Sequence, residues 1–288
     1  MGSKTDLPKV AQSICDTKGF TFGKSVGGGA FKKVFNVEGK GGKEYALKIA
    51  KGPISAQRTD REISAMQRCN HPNIAKLFGT GTYEFDGRKY SFTLEEFLPG
   101  GTLTDRIQRD GLLDNEQLLE LGTPLINAIG HISDLGLVHR DIKPDNVMFR
   151  QNGTTPVLVD FNLVRDLSAA SLTQSWLNQG PGTPYFAAPE QLNNQKKLID
   201  WRTDQFSLGV TLSYVRFGIH PYQHPDESDL SHKTVERVAT RGYRSDDILE
   251  KFQRAGLLCL KRMTSVWPVE RFRRPLDLEK NWQDKGGM

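Results

Sequence analysis

The chain has 288 residues, of which 37% are hydrophobic and 25% are charged, and this globular composition excludes wholesale disorder. The formal net charge is +5, but the lysines and arginines are spread along the chain, which favours a solvated surface over a nucleic-acid-binding module. The 3 cysteines are widely spaced and include no Cys-x-x-Cys pair. This pattern predicts free thiols in a reducing compartment and argues against a zinc ribbon or a disulfide-stapled secreted domain.

The N-terminal third of the chain is rich in predicted strands. Residues 1–19 show no clear period, lack the apolar core of a signal peptide, and are expected to form a partly ordered extension. The residues that follow predict five strands and one helix, in the order strands 20–26, 33–39 and 44–50, helix 56–69, and strands 71–85 and 88–97. A small lobe is therefore predicted at residues 20–98.

A proline and two glycines at 99–101 break this pattern and indicate a hinge. Beyond them the chain becomes helical. Residues 115–136 form a long amphipathic pattern, and residues 204–217 are apolar on most sides, as expected for a helix in the middle of a lobe. We therefore predict an α+β protein with a larger, mostly helical lobe at 99–280 and a tail at 281–288. No apolar run is long enough to span a membrane.

A glycine cluster at Gly27, Gly28 and Gly29 lies between two predicted strands. Glycines let a backbone approach phosphates closely, and their exposed N–H groups can cradle anions. A glycine-rich hairpin turn is the commoner explanation, so the cluster gains weight only from its order with the motifs that follow. Shortly after it, Lys32 could add a charge near the phosphates or simply point to solvent.

Lys48 lies on the third predicted strand, and Glu62 lies on the helix that follows it. A lysine at this place can reach the α- and β-phosphates of a nucleotide, and an acid that faces it would orient it by ion pairing. Each residue alone has an ordinary explanation, as an exposed strand lysine or a solvated helix glutamate. Their order along the chain predicts a phosphate-binding Lys48 that is oriented by Glu62.

Residues 139–146, His-Arg-Asp-Ile-Lys-Pro-Asp-Asn, are the most specific pattern in the chain. Phosphoryl transfer to a hydroxyl needs a carboxylate that accepts or orients its proton, which Asp141 can do. Lys143 can supply a cation near the γ-phosphate, and Asn146 can provide an oxygen ligand for Mg²⁺. Asp160 follows a predicted strand shortly afterwards and is placed to hold Mg²⁺ that bridges the phosphates.

Together these motifs resemble the signature set of the eukaryotic-type serine/threonine protein kinase family, over residues 20–277. The resemblance implies the two-lobed protein kinase fold, ATP and Mg²⁺ as cofactors, and transfer of the γ-phosphate to Ser or Thr hydroxyls of a protein substrate. Residues 182–190 resemble the end of a kinase activation segment. Asp204 resembles the buried anchor of the kinase central helix, and Arg271 lies where kinases pair an arginine with the acid that is Glu190 here.

The resemblance also implies roles for individual residues. The catalytic residues would be Asp141, Lys143, Lys48 and Glu62, and the metal ligands would be Asn146 and Asp160. The nucleotide-binding residues would be Val26, Gly27, Gly28, Gly29, Val34, Ala46, Lys48, Glu96, Leu98 and Met148. Among these, Val34, Ala46 and Met148 would sandwich the adenine, and the backbones of Glu96 and Leu98 would bond its edge. The residue at the back of this pocket would be Glu95, and an acid is unusual there.

The expected acceptor is a protein serine or threonine, because Lys143 and Thr183 resemble the corresponding residues of serine/threonine kinases. The resemblance further implies autophosphorylation, with a phosphate on the activation segment docked against Arg140. The candidate acceptors are Ser168, Ser171, Thr173 and Ser175. No nucleic-acid partner is expected, and the expected location is the cytoplasm, or a host cytosol if the protein is a delivered effector.

Two departures from the family pattern keep alternatives open. Lys32 and Asn162 occupy positions where kinases usually have glycine, which leaves room for a nucleotide-binding pseudokinase that acts as a scaffold. The presence of every catalytic residue named above favours the active enzyme. A small-molecule phosphotransferase of the same fold is a third possibility, and the segment that ends in Glu190 argues against it. A nucleic-acid-binding module rests on the net charge alone.

Overall fold

The computed structural model describes residues 6–29, 31–161, 163–167, 184–226 and 231–284. The chain divides into two compact units. Unit 1 comprises Met1–Asn70 and Ile74–Pro99, and unit 2 comprises His71–Asn73 and Gly100–Met288.

Unit 1 is built on an antiparallel sheet of five strands, with the order β1-β2-β3-β5-β4. The strands are β1 (Thr21–Gly28), β2 (Lys32–Glu38), β3 (Glu44–Ala50), β4 (Leu77–Phe85) and β5 (Arg88–Glu96). Two helices accompany the sheet, α1 (Leu7–Lys18) and α2 (Pro53–Arg68). The five strands and helix α2 agree with the sequence pattern, apart from shifts at their ends. The largest shift is in β4, which begins at Leu77 and not at residue 71.

The register of the sheet determines which side chains share a face. Val34 lies opposite Lys48, Lys48 lies opposite Thr93, and Ala46 lies opposite Glu95. Residues directly opposite each other in an antiparallel sheet project to the same side, and successive residues alternate. All five side chains therefore lie on one face, which we call the polar face because it carries the charged and hydroxyl groups among them.

The opposite face of the sheet is apolar and is covered by helix α1. Strands β2, β3 and β5 contribute the buried residues Phe35, Val37, Leu47, Ile49, Tyr90 and Phe92 to this cluster. Helix α1 contributes Val10, Ala11, Ile14 and Cys15, each no more than 1% exposed. The helix ends at Lys18 and is followed by Gly19, whose φ of 74° is a left-handed conformation that glycine adopts without strain.

The expectation of a partly ordered extension is therefore wrong for residues 7–18. The signal for a helix was present in the sequence, because Leu7, Val10, Ala11, Ile14 and Cys15 recur at helical spacing. A further tie fixes the helix to the sheet, since the hydroxyls of Ser13 and Tyr83 are 2.7 Å apart and form a hydrogen bond.

Unit 2 is mostly helical. Its helices are α3 (Leu103–Asp110), α4 (Asn115–Asp134), α5 (Pro189–Leu192), α6 (Trp201–Phe217), α7 (Ser231–Ala239), α8 (Asp246–Arg254), α9 (Leu258–Met263) and α10 (Pro275–Gln283). Two short antiparallel ladders pair β6 (Leu137–Val138) with β9 (Arg165–Asp166), and β7 (Val147–Phe149) with β8 (Pro156–Leu158). The predicted helices at 115–136 and 204–217 correspond to α4 and α6.

Helices α4 and α6 form the centre of unit 2. Helix α6 is buried on most sides, as its apolar sequence predicts. Helix α4 packs against both α6 and α10. Its contact with α10 depends on Gly122, because a Cβ atom there would lie 2.1 Å from Trp282 Cζ2. Among the helices that the structure describes, none is long and apolar enough to cross a membrane.

Candidate active site

The loop at residues 139–146 lies between strands β6 and β7 of unit 2 and is held by the first turn of α6. The Asp204 carboxylate accepts hydrogen bonds from the backbone N–H groups of His139, at 2.7 Å, and Arg140, at 2.8 Å. Arg140 has a φ of 71°, an unusual value for a side-chain-bearing residue, and the bond to its N–H supports this conformation. Complete burial raises the pKa of Asp204 to about 7. Asp204 is therefore the buried anchor that the sequence predicted.

The Asp141 carboxylate is held between Lys143 and Asn146. Lys143 Nζ donates to Asp141 Oδ2 at 3.0 Å and lies 3.2 Å from Oδ1. Asn146 Nδ2 donates to Oδ2 at 2.8 Å and to the backbone carbonyl of Asp141 at 2.7 Å. The carboxylate is thus fixed in orientation, and it remains 9% exposed.

Burial sets the basicity of this carboxylate. It raises the pKa of Asp141 above the ordinary aspartate value, and the nearby Lys143 ammonium opposes the shift only in part. A carboxylate with a raised pKa is a better proton acceptor than a solvated one. The fixed orientation and the buried environment of Asp141 therefore suit this carboxylate to act as a general base.

Asn146 and Asp160 have the donor chemistry that a hard cation requires. The amide nitrogen of Asn146 donates two hydrogen bonds to Asp141, and the amide oxygen Oδ1 is the atom that can bind a cation. The N–H of Val159 donates to the carbonyl of Asn146 at 3.0 Å, so the residue before Asp160 is tied directly to Asn146. Asp160 itself has a φ of 67°. An amide oxygen and a carboxylate fit Mg²⁺, which prefers a few protein oxygens together with phosphate and water.

His139 supports the segment that carries Asp160. Its Nε2 lies 3.1 Å from the carbonyl oxygen of Val159, and its ring packs edge-on against Phe161 with the ring centroids 4.7 Å apart. Burial lowers the pKa of His139 to about 4, so the ring is neutral at physiological pH. His139 therefore acts here as a neutral packing and hydrogen-bonding group.

In unit 1, Gly27 and Gly28 are the last residues of β1, where they pair with β2, and Gly29 follows them directly. Gly28 has a φ of 151°, and a Cβ atom there would lie 2.7 Å from the carbonyl oxygen of Lys32. The hairpin is joined by a bond from the N–H of Gly29 to the same carbonyl, at 3.1 Å. A side chain at position 28 would therefore disrupt the turn, whereas Gly27 and Gly29 have open space around them.

The predicted pairing of Lys48 with Glu62 is wrong. Lys48 Nζ lies 2.6 Å from Glu95 Oε2, while the ion pair of Glu62 is formed with Lys32. Lys32 is 5% exposed, so the alternative that it points to solvent is also wrong. The order of the motifs along the chain located Glu62 and both lysines, but it did not determine which buried acid each lysine contacts.

The remaining predicted nucleotide-binding residues are distributed over both units. Val34 and Ala46 project from the polar face of the sheet in unit 1. Leu98 is 4% exposed, and Glu96 donates its N–H to the carbonyl of Lys76 at 2.8 Å. Val26, on β1, is 40% exposed. Met148 belongs to β7 of unit 2 and is half-buried. Their contribution to nucleotide binding stays a prediction.

A second charged pair lies deep in unit 2. Arg271 Nη1 is 2.7 Å from Glu190 Oε1, and Arg271 Nη2 is 3.0 Å from Oε2, so the pair is bidentate. Both side chains are fully buried. This confirms the partner that the sequence predicted. The sequence did not identify Thr203, whose hydroxyl donates to Glu190 Oε1 at 2.8 Å.

Comparisons with known proteins agree with this fold and these motifs. The family described as "Protein kinase domain" matches residues 20–281. A probable serine/threonine-protein kinase PknB of Bifidobacterium longum is 30% identical over 235 residues, which is 77% of this chain and 33% of the relative. The CBL-interacting serine/threonine-protein kinase 26 of Arabidopsis thaliana is 35% identical over 236 residues, which is 79% of this chain and 51% of the relative.

The two units, the motif order and the family match define a protein kinase domain with an α+β fold, as predicted. The chain belongs to the protein kinase family, whose members use ATP and Mg²⁺. The calcium/calmodulin-dependent protein kinase type 1 of Caenorhabditis elegans is a further relative, 31% identical over 219 residues, 74% of this chain and 59% of the relative. The chain thus spans between 33% and 59% of the length of these three relatives.

Proposed function

We propose that the chain is a serine/threonine protein kinase that transfers the γ-phosphate of ATP to protein hydroxyls. The observation that carries the proposal is the environment of Asp141, a buried carboxylate with a raised pKa that is oriented by Lys143 and Asn146. Such a carboxylate can accept the proton of an attacking hydroxyl and orient the oxygen towards phosphorus. Lys143 can offset negative charge that develops on the transferred phosphoryl group.

Asn146 and Asp160 would hold Mg²⁺, which when bound neutralises phosphate charge and fixes the geometry of the phosphates. Within unit 1, Lys48 would contact the phosphates and the backbone around Gly28 would approach them closely. The adenine would rest on Val34 and Ala46. These roles come from the family, and the positions of the side chains in each unit are compatible with them.

We also propose a protein acceptor, autophosphorylation and a cytoplasmic location. A protein acceptor and autophosphorylation follow from the family, and the candidate acceptors lie outside the described residues, as do Thr183 and Asn162. A cytoplasmic location is supported by Cys15, Cys69 and Cys259, all of which are free thiols. No nucleic-acid partner is proposed.

The proposed activity can be tested by phosphate transfer from ATP and Mg²⁺ to a generic basic protein. We expect transfer by the wild type and none by Asp160→Ala, because the substitution removes a carboxylate ligand for Mg²⁺. Asp16→Ala removes an exposed carboxylate on α1 and should transfer normally. Equal signals from the wild type and Asp160→Ala would defeat the assignment as a kinase. Silence from all three proteins, with nucleotide binding retained, would favour the scaffold.

The pH dependence of kcat/KM should report the environment of Asp141. The base must be ionised, so activity is present above its pKa and is lost as the pH falls through it. Because burial raises the pKa of Asp141, the acid limb should lie above that of an ordinary aspartate. Lys143→Met should move the limb to still higher pH, since the Lys143 ammonium lowers this pKa. A limb that does not move in Lys143→Met would contradict the assignment.

A further inference from the structure

The polar face of the unit 1 sheet carries more buried charge than the proposed chemistry uses. Lys32 lies opposite Ala50 in the β2–β3 ladder, two residues from the pair of Val34 and Lys48, so it projects from the same face as Lys48. Glu95 lies on this face as well, and Glu62 comes from helix α2. Two lysines and two glutamates therefore occupy one buried region.

Both acids need a partner, because an ionised carboxylate that is removed from water without one is costly. Glu62 is 0% exposed, and Glu95 is 1% exposed. The two lysines are the cations paired with them, and their side chains are 6% exposed at Lys32 and 14% exposed at Lys48. Each acid should therefore depend strongly on its own lysine.

Local hydrogen bonds fix how the lysines divide between the acids. Thr93, two residues before Glu95 on the same strand face, donates its hydroxyl to Glu95 Oε1 at 2.6 Å. This bond directs the other oxygen, Oε2, to Lys48 Nζ at 2.6 Å. Glu62 contacts Lys32 through Oε2, and its Oε1 is buried and accepts no hydrogen bond from the described part of the chain.

We infer that Lys32 is the positioning residue for Glu62 and helix α2, and that Glu95 is the positioning residue for Lys48. The cation that supports the helix acid then comes from the start of β2, directly after the glycine turn, and not from β3. The Glu95 carboxylate holds Lys48 in place, so an anionic ligand must compete with this carboxylate for the Lys48 ammonium. The pairing stands on unit 1 alone, and only its consequence for ATP rests on the proposed function.

The two pairs have opposite electrostatic consequences for an anion that binds at Lys48. Loss of the Glu95 charge removes a carboxylate that neutralises the Lys48 ammonium, so an anionic ligand should bind more tightly. Loss of Lys32 leaves the Glu62 carboxylate unpaired, so the local field becomes more negative and the ligand should bind more weakly. A purely structural role for either residue would weaken binding in both cases.

The pairing can be measured without catalysis by NMR of the lysine ammonium groups in ¹⁵Nζ-labelled protein. Signals of Lys32 and Lys48 are assigned from Lys32→Arg and Lys48→Arg. We expect Glu62→Gln to move the Lys32 signal more than the Lys48 signal, and Glu95→Gln to move the Lys48 signal more than the Lys32 signal. The exposed control Glu84→Gln should move neither signal. A larger movement of Lys48 than of Lys32 in Glu62→Gln would overturn the inference.

Urea unfolding of single and double variants gives a second measure that does not rely on assigned signals. The Lys32→Met and Glu62→Gln cycle should show a coupling of about tenfold or more in the unfolding equilibrium constant. The Lys48→Met and Glu62→Gln cycle should show a smaller coupling. The reverse ranking would overturn the inference, and the exposed control Lys40→Met should couple to neither acid.

Titration with Mg²⁺ and a non-hydrolysable ATP analogue tests the consequence for function. We expect Glu95→Gln to lower the dissociation constant about threefold or more and Lys32→Met to raise it by a similar factor. Weaker binding in both variants would reduce the two residues to structural roles and overturn their assignment as positioning residues. If the wild type binds no nucleotide, the proposed function fails, while the NMR and unfolding results still decide the pairing.

Discussion

Arg271→Met should lower the free energy of unfolding by about 3–5 kcal/mol, because it leaves the Glu190 carboxylate buried without its partner. The pair is bidentate, and both side chains are fully buried. Arg271 also donates to the backbone carbonyls of Ser265, at 2.7 Å, and Arg202, at 2.8 Å. The loss can be measured by urea denaturation of the purified variant.

Two further variants sharpen this prediction. Replacing both partners, in Arg271→Met with Glu190→Met, should be less destabilising than Arg271→Met alone, because no uncompensated charge remains. Arg274→Met is the matched control, since Arg274 forms an exposed pair with Asp277 and its loss should leave the unfolding midpoint unchanged. A double variant as unstable as the single one would show that the hydrogen bonds to the carbonyls dominate.

Asp141→Asn should lower kcat by about 10²- to 10⁴-fold, because an amide cannot accept the proton of the attacking hydroxyl. The substitution keeps the size of the side chain and an oxygen that can still accept from Lys143 or Asn146. Nucleotide binding should therefore change little, so the loss should appear in kcat and not in KM for ATP. Steady-state kinetics with a basic protein acceptor gives both quantities.

The control for this prediction comes from the same loop. Asp145 is exposed, and its carboxylate accepts a hydrogen bond from the hydroxyl of Thr104 at 2.9 Å. Asp145→Asn should retain wild-type kcat, because this carboxylate is exposed and its hydrogen bond is with Thr104. If Asp141→Asn and Asp145→Asn lost activity equally, the general-base role of Asp141 would have to be abandoned.

Local sequence patterns brought together the residues that contact one another in the loop at 139–146, because these contacts are short in sequence. Asp141, Lys143 and Asn146 lie within six residues of one another, so the order of residue types nearly determines the geometry. Their anchor, Asp204, was predicted only because of the family resemblance. It is 64 residues away from Arg140 in the chain, and no local pattern links the two.

The charged pairs of unit 1 could not be predicted in the same way. The partner of each lysine depends on the strand register and on the other hydrogen bonds of the acids. The Thr93 hydroxyl, for example, donates to Glu95. Lys32 and Lys48 project from the same face of the sheet. The strand register alone therefore indicates that both lysines are available to the same acids. The helix at residues 7–18 has an amphipathic spacing that is visible in the sequence, but the strands that it covers lie elsewhere in the chain, so the sequence does not show what it packs against.

The cover that helix α1 provides for the sheet bears on how this domain could be moved between proteins. The part that the family shares begins at residue 20, yet the apolar side of the sheet is closed by residues that precede it. A recombination event, natural or engineered, that joined another protein at residue 20 would transfer the motifs without helix α1. The apolar face of the sheet would then be exposed. The smallest part of the chain that could be transferred with its sheet covered therefore begins at helix α1, before the first residue that matches the family.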